Sequence, residues 1–103
     1  MGIFDFLQKN KNKKINDFMS RGAIILDVRT TREFNAGAIN GSKHIPLQVL
    51  REHVEELRDL DKPFVICCAS GIRSSKASKF LNLNNIEAIN GGGWQNLNSI
   101  LDT

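Results

Sequence analysis

Cysteine and proline are scarce in this chain, which has two of each among its 103 residues. The cysteines, Cys67 and Cys68, are adjacent, so a disulfide between them would be strained, would close almost no loop and would add little stability. Two neighbouring thiols beside His44 and His53 also lack the C-x2-C spacing of a zinc site. We therefore expect free thiols, no metal and no other cofactor.

Long apolar runs and export signals are also missing. No stretch approaches the roughly 18 apolar residues of a membrane-spanning helix. The start of the chain lacks the positive region of a signal peptide and carries Asp5 inside a short apolar patch. Glycine (8) and proline (2) are too few for a collagen-like or low-complexity chain. We expect one globular domain, monomeric, in the cytoplasm and away from membranes.

Positive charge is in slight excess, with 14 Lys and Arg against 11 Asp and Glu, for a net charge of +3. The excess lies near the N-terminus, in a cluster made by Lys9, Lys11, Lys13 and Lys14. A basic cluster can bind nucleic acid or an anionic membrane surface. This cluster has no interleaved aromatic residues and no nucleic-acid module after it, so we favour a solvated helix end or a frayed linker and expect no nucleic-acid partner.

The apolar pattern predicts strands that alternate with helices. Apolar runs typical of strands buried on both faces of a parallel sheet occupy residues 23–28 and 64–68, and a third strand is expected at 86–89. Helices are expected within 1–10 and at 14–21, 30–34, 47–57, 74–82 and 94–101, with a glycine turn at 91–93. This order implies an α/β fold with a mostly parallel central sheet and helices on both faces. We expect residues 15–103 to form the domain and residues 1–14 a short extension.

The segment Cys68-Ala69-Ser70-Gly71-Ile72-Arg73-Ser74 carries the strongest chemical signal. It joins a buried strand to a helix, and open α/β sheets bind ligands at such junctions. The N-terminus of the following helix favours a thiolate, and cysteines in such places have pKa values lowered to about 3.5–7.5. Gly71 lets N–H groups converge on an anion, while Arg73 adds positive charge. Strand alternation points Cys67 the other way, into the core.

Three stretches, taken together, resemble a known family. The first is Leu26-Asp27-Val28-Arg29 with Glu33-Phe34 and Ile45-Pro46 after it; the second is Cys68-x-x-Gly71-x-Arg73-Ser74; the third is Asn90-Gly91-Gly92-Gly93-Trp94. In this order they resemble the single-domain rhodaneses, which are sulfurtransferases, over about residues 23–101.

The resemblance implies a rhodanese-like fold and an enzyme that passes sulfane sulfur through a persulfide on Cys68. The donor would be a small anion such as thiosulfate, and the acceptor would be cyanide, a small thiol or a partner protein. Residues 69–74 would bind the substrate, with the amides of 69–73 around the terminal sulfur. Arg73 would brace the loop or meet an anionic donor. Three residues near the loop would support it through ion pairs: Asp27, Arg29 and Glu33.

The sequence departs from the family at two positions. Gly37-Ala38-Ile39 stands where a G-H-I is common, so one frequent histidine is missing. Ala69 occupies a loop position that often holds a basic side chain, which weakens the case for thiosulfate as the physiological donor. His44 is not favoured as a general base, because a lone histidine beside Ile45-Pro46 is more often a packing or surface residue.

Two alternative functions stay open. A sulfur carrier with little small-molecule activity would use residues 1–14 as its docking segment. A cysteine phosphatase or arsenate reductase would use a C-x5-R loop, whereas Cys68 and Arg73 are spaced as C-x4-R. The shorter loop makes a tighter ring of amides, which suits one sulfur atom better than a phosphate.

Overall fold

The structure, a computed structural model, describes residues 2–102. Five α-helices and four strands occur in this part of the chain, together with one 3-10 helix. In chain order they are α1 (Ile3–Ser20), β1 (Ile24–Asp27), α2 (Thr31–Asn35), β2 (Lys43–His44), the 3-10 helix Leu47–His53, α3 (Val54–Asp59), β3 (Phe64–Cys68), α4 (Ile72–Leu83), β4 (Ala88–Gly93) and α5 (Trp94–Leu101).

The strands form one parallel sheet in the order β2-β1-β3-β4. Alternating side chains of β3 enter two separate cores: Ile66 and Cys68 face α3, α4 and the 3-10 helix, whereas Val65 and Cys67 face α1 and α5. The expected α/β fold, with a parallel sheet and helices on both faces, is confirmed. Because all strands are parallel, their carboxyl ends meet at one edge of the sheet.

Helix α1 is longer than the sequence pattern predicts. One helix of 18 residues spans the two short helices expected within 1–10 and at 14–21, and it ends before Gly22, whose φ is +83°. The helix is continuous because residues 3–20 contain neither glycine nor proline. The division at residue 14 stays a prediction, and its boundary falls inside α1. Among residues 2–102, no helix is both long and apolar enough to cross a membrane.

The segment expected to form one amphipathic helix at 47–57 begins as the 3-10 helix and continues as α3. The apolar spacing is correct, since Leu50 and Leu57 are both buried. Pro46 immediately precedes the tighter first turns.

The glycine turn expected at 91–93 is wrong, because these residues form the last part of β4. Gly92 pairs with Cys67 and Gly93 with Cys68, after a register shift that leaves Gly91 as an extra residue. A Cβ atom on Gly91 would lie 2.8 Å from Val65 Cγ1, and one on Gly93 would lie 2.8 Å from the Ala69 carbonyl oxygen. The strand therefore needs glycines here, because it packs closely against β3 and the loop after it. Local sequence patterns do not predict such a close approach.

Candidate active site

Cys68 is the last residue of β3, and the chain turns back over its sulfur before α4 begins. The Gly71 N–H donates to Cys68 Sγ at 3.0 Å, and the Ser74 N–H donates at 3.4 Å. The Ser74 hydroxyl lies 3.3 Å from the same sulfur. Gly71 has a φ of +102°, a left-handed conformation that brings its N–H back towards the strand end. The loop thus surrounds one sulfur atom with several hydrogen-bonding groups.

The environment lowers the pKa of the Cys68 thiol below its ordinary value. Burial has the largest single effect, and it acts in the opposite direction by disfavouring the charged form. Hydrogen bonds from the Ser74 hydroxyl and from the N–H groups of Ser74, Gly71 and Ser70 together outweigh it. The loop therefore stabilises a thiolate by direct donation to the sulfur.

Cys67 has a contrasting environment on the opposite face of the sheet. It packs in the core formed by Ile15, Val65 and Leu97. Burial, followed by the nearby charge of Asp27, raises the pKa of the Cys67 thiol to about 12. This thiol therefore stays protonated at neutral pH, and a protonated buried thiol is a poor nucleophile.

Asn90, from β4, connects the parts of the loop. Its side-chain amide donates to the Gly71 carbonyl at 3.0 Å, and its Oδ1 accepts from the Gly92 N–H at 2.9 Å and from the Ser74 hydroxyl at 2.6 Å. Ser74 has a single hydroxyl proton, so while it donates to Asn90 it presents only a lone pair to Cys68. Donation to a Cys68 thiolate requires this hydroxyl to rotate. In the sequence Asn90 is only the residue before three glycines, and no local pattern predicts its hydrogen bonds to Ser74 and Gly71.

Arg73, in the first turn of α4, pairs with Glu33. Two hydrogen bonds of 2.7 and 2.9 Å join the guanidinium to the carboxylate. The bond to Arg73 is the main reason that the pKa of Glu33 is lowered to about 2, with help from the Thr30 N–H. Glu33 also completes a capping box with Thr30 at the start of α2. The pair therefore links the first turn of α4 to α2.

Asp27 and Arg29 form a second, buried ion pair at the end of β1. Arg29 Nη2 lies 2.8 Å from Asp27 Oδ2, and the side chains are 4% and 0% exposed. Arg29 also donates to the Gly37 carbonyl at 2.7 Å and stacks over the Trp94 ring at 4.7 Å. These contacts hold together the end of β1, the loop after α2 and the start of α5.

The remaining candidates differ in their placement. Ala69 and Ser70 are exposed on the outer side of the loop, and the Ile72 side chain is 67% exposed. His44 Nε2 is hydrogen-bonded to the Arg29 carbonyl at 2.7 Å, and its ring stacks on Phe34 with centroids 4.3 Å apart. The imidazole thus has a packing role at the end of β2.

The family model of the rhodanese-like domain matches residues 7–99. The chain is 39% identical over 64 residues to the uncharacterized protein YqhL of Bacillus subtilis, covering 62% of this chain and 50% of that protein. The chain therefore spans half the length of that relative.

Two further alignments cover most of this chain and most of the other protein. Thiosulfate sulfurtransferase GlpE of Haemophilus influenzae is 30% identical over 92 residues, which cover 84% of this chain and 87% of that protein. The crystal structure of a rhodanese-related protein from Thermoplasma volcanium matches with a TM-score of 0.66 at 33% identity, covering 84% of this chain and 85% of that one.

Proposed function

Because the chain belongs to the rhodanese-like domain family, we propose that it is a sulfurtransferase that carries sulfane sulfur as a persulfide on Cys68. The observation that carries the proposal is the convergence of hydrogen-bonding groups on Cys68 Sγ, at 3.0 Å from Gly71 and 3.3–3.4 Å from Ser74. Such an arrangement suits Cys68 Sγ, which is a thiolate before the sulfur is loaded and again after it has been transferred.

The first step loads the enzyme. The Cys68 thiolate attacks the outer sulfur of thiosulfate, a new S–S bond forms, and the donor's S–S bond breaks with its electron pair leaving on sulfite. In the second step, cyanide or a thiolate attacks the outer sulfur of the persulfide, and Cys68 leaves as a thiolate. The lowered pKa of Cys68 serves both steps, because it keeps the attacking group ionised and makes it a good leaving group.

Access to the sulfur requires movement of the loop. Cys68 is 0% exposed, and the backbone nitrogens of Gly71 and Ser74 lie 3.0 and 3.4 Å from its sulfur. A donor therefore reaches Sγ only when this loop opens. Ala69 and Ser70 are exposed, so this part of the loop faces solvent.

The orientation of Arg73 favours sulfur over phosphorus transfer. An arginine that clamps a phosphate directs its paired N–H groups at the anion. Arg73 instead directs two nitrogens at the carboxylate of Glu33. Its charge is thus largely neutralised, and the cradle around Cys68 consists of backbone N–H groups and a serine.

Mass spectrometry after incubation with thiosulfate tests the proposal. We expect one added sulfur on the peptide that contains both cysteines, retained in Cys67→Ser and lost in Cys68→Ser. Subsequent cyanide should remove the added sulfur as thiocyanate. Failure of every donor to form an adduct would contradict the sulfurtransferase function, and an adduct on Cys67 would contradict the site. A persulfide that forms but is not released to cyanide or small thiols would favour the carrier alternative.

A further inference from the structure

A basic groove lies beside the active-site loop, between α1 and α4. Its volume is about 500 Å³. The groove, named here the lysine groove, is lined by loop residues, by Asn90 and by lysines from both helices: Ser70, Gly71, Asn90, Lys11, Lys76 and Lys79. None of the described residues that line it is acidic. Because Gly71 donates its N–H to Cys68 Sγ, the groove shares a wall with the sulfur site.

Lys11 reaches the groove from α1 by lying over Gly92. A Cβ atom on Gly92 would be 2.7 Å from Lys11 Nζ, so the glycine makes room for the ammonium group. Gly92 also has a φ of +87°, which side chains rarely adopt. Gly92, the second of the three glycines of β4, thus allows a charge from the N-terminal helix to lie next to the loop.

Lys76 and Lys79 lie three residues apart on α4, so both project from the same face of the helix. Both side chains are exposed, whereas Lys11 is half-buried. Within residues 2–102, none of these three lysines forms an ion pair. Their charge is therefore available to a ligand.

The arginines near the loop are already in ion pairs, so they offer no free charge to a ligand. Arg73 is paired with Glu33 and Arg29 with Asp27, and Ala69 contributes no charge. The unpaired positive charge beside the loop thus comes from the lysine groove. The groove is also of the size of a small-molecule site, roughly 300–1,000 Å³, and it is much larger than cyanide or sulfite requires.

We propose that the lysine groove binds the anionic body of the sulfur acceptor, which is a small thiol bearing carboxylate, sulfonate or phosphate groups. This inference rests on the proposed sulfurtransferase function. The acceptor's thiolate attacks the outer sulfur of the Cys68 persulfide, the bond between that sulfur and Sγ breaks, and Cys68 leaves as a thiolate while the acceptor leaves as a persulfide. The exchange needs no external oxidant or reductant, and the lysines act by concentrating and orienting the anion.

Single-turnover transfer from preloaded persulfide tests the inference. The protein is loaded with thiosulfate to completion, the donor is removed, and transfer is timed to four thiols of different charge: cysteamine, 2-mercaptoethanol, mercaptoethanesulfonate and mercaptosuccinate. Each rate is compared between the wild type and the triple variant Lys11→Gln/Lys76→Gln/Lys79→Gln. The ratio for each thiol cancels its intrinsic reactivity. Lys9→Gln is the matched control, since it removes a charge from α1 without touching the groove.

The triple variant should slow transfer to mercaptosuccinate on the order of tenfold and to 2-mercaptoethanol less than twofold. The rate of transfer to mercaptosuccinate should also lose most of its dependence on salt concentration. Lys9→Gln should change neither rate by as much as twofold. Equal slowing of all four thiols, or no slowing of the anionic ones, would overturn the inference. A cysteine within an acidic peptide is a fifth acceptor in the same assay, and slowing of transfer to it alone would overturn the inference and assign the groove to a protein acceptor. Failure of loading in the wild type would count against the proposed function, not against the groove.

Discussion

Arg73 and Glu33 join two segments that are 40 residues apart in the sequence. The two hydrogen bonds between them, of 2.7 and 2.9 Å, connect the first turn of α4 to α2. Each side chain is one-third exposed, so solvent weakens the attraction but does not remove it. The pair braces the helix that follows the loop around Cys68.

The Glu33–Arg73 pair should make stability depend on pH in the acidic range. The pKa of Glu33 is lowered from 4.5 to about 2 in the folded protein. A lowered carboxyl pKa stabilises the fold fully above the unfolded value and loses that contribution as pH falls from about 4.5 towards 2. Urea unfolding should show that Glu33→Gln costs under about 1 kcal/mol near pH 6 and less near pH 3. Glu55→Gln, at a position that is 80% exposed, is the control. An equal cost at both pH values would refute the assignment.

Removal of the Ser74 hydroxyl should raise the pKa of Cys68. When it rotates from Asn90 to the Cys68 thiolate, the Ser74 hydroxyl makes the strongest of the hydrogen bonds that lower this pKa. The measurement is the rate of alkylation by iodoacetamide against pH, in a Cys67→Ser background so that only Cys68 reacts. The midpoint of this curve should lie at higher pH in Ser74→Ala. Ser75→Ala, which removes the next hydroxyl along α4, should leave the midpoint in place. A midpoint that does not move in Ser74→Ala would mean that the backbone N–H groups suffice.

A methyl group at Gly93 should displace the loop. The new Cβ would lie 2.8 Å from the Ala69 carbonyl oxygen, a backbone atom that cannot move alone. Gly93→Ala should cost about 1–3 kcal/mol of stability. It should also lower the rate of sulfur transfer per folded molecule. Gly41→Ala separates the two effects, because Gly41 has a φ of +84° but no neighbour within 4 Å of its Cβ position. We expect Gly41→Ala to cost ~1 kcal/mol and to retain full transfer per folded molecule.

Loss of the Asp27 carboxylate should strongly destabilise the fold. Arg29 would then be a buried charge without its partner, since the two side chains are 4% and 0% exposed. Asp27→Ala should cost about 3–5 kcal/mol in urea unfolding, a large part of a domain's usual 5–15 kcal/mol. The double variant Asp27→Leu/Arg29→Met should recover part of this loss, because it removes both charges. If Asp27→Ala costs less than ~1 kcal/mol, the pair is not the anchor described here.

The sequence predicts this fold best where the signal is local. The apolar run at 64–68 identifies β3, and the two-residue period of a strand separates Cys67 from Cys68. The capping box of Thr30 and Glu33 is readable in the same way. Prediction fails at the three glycines, because a glycine run indicates a turn locally. In the folded protein these residues are a strand that must pass close to Val65 and Ala69.

By itself, the sequence determined the α/β class, the parallel sheet and the loop that follows Cys68, since these depend on period, burial and spacing along a few residues. Only the tertiary structure decided that Asn90 binds both Ser74 and Gly71, that Arg73 faces Glu33, and that Lys11 lies over Gly92. These contacts join residues from 16 to 81 positions apart in the sequence, so they depend on strand order and packing. In the sequence, the N-terminal lysines look like a solvated helix end. In the folded protein, α1 places one of them, Lys11, beside the loop around Cys68.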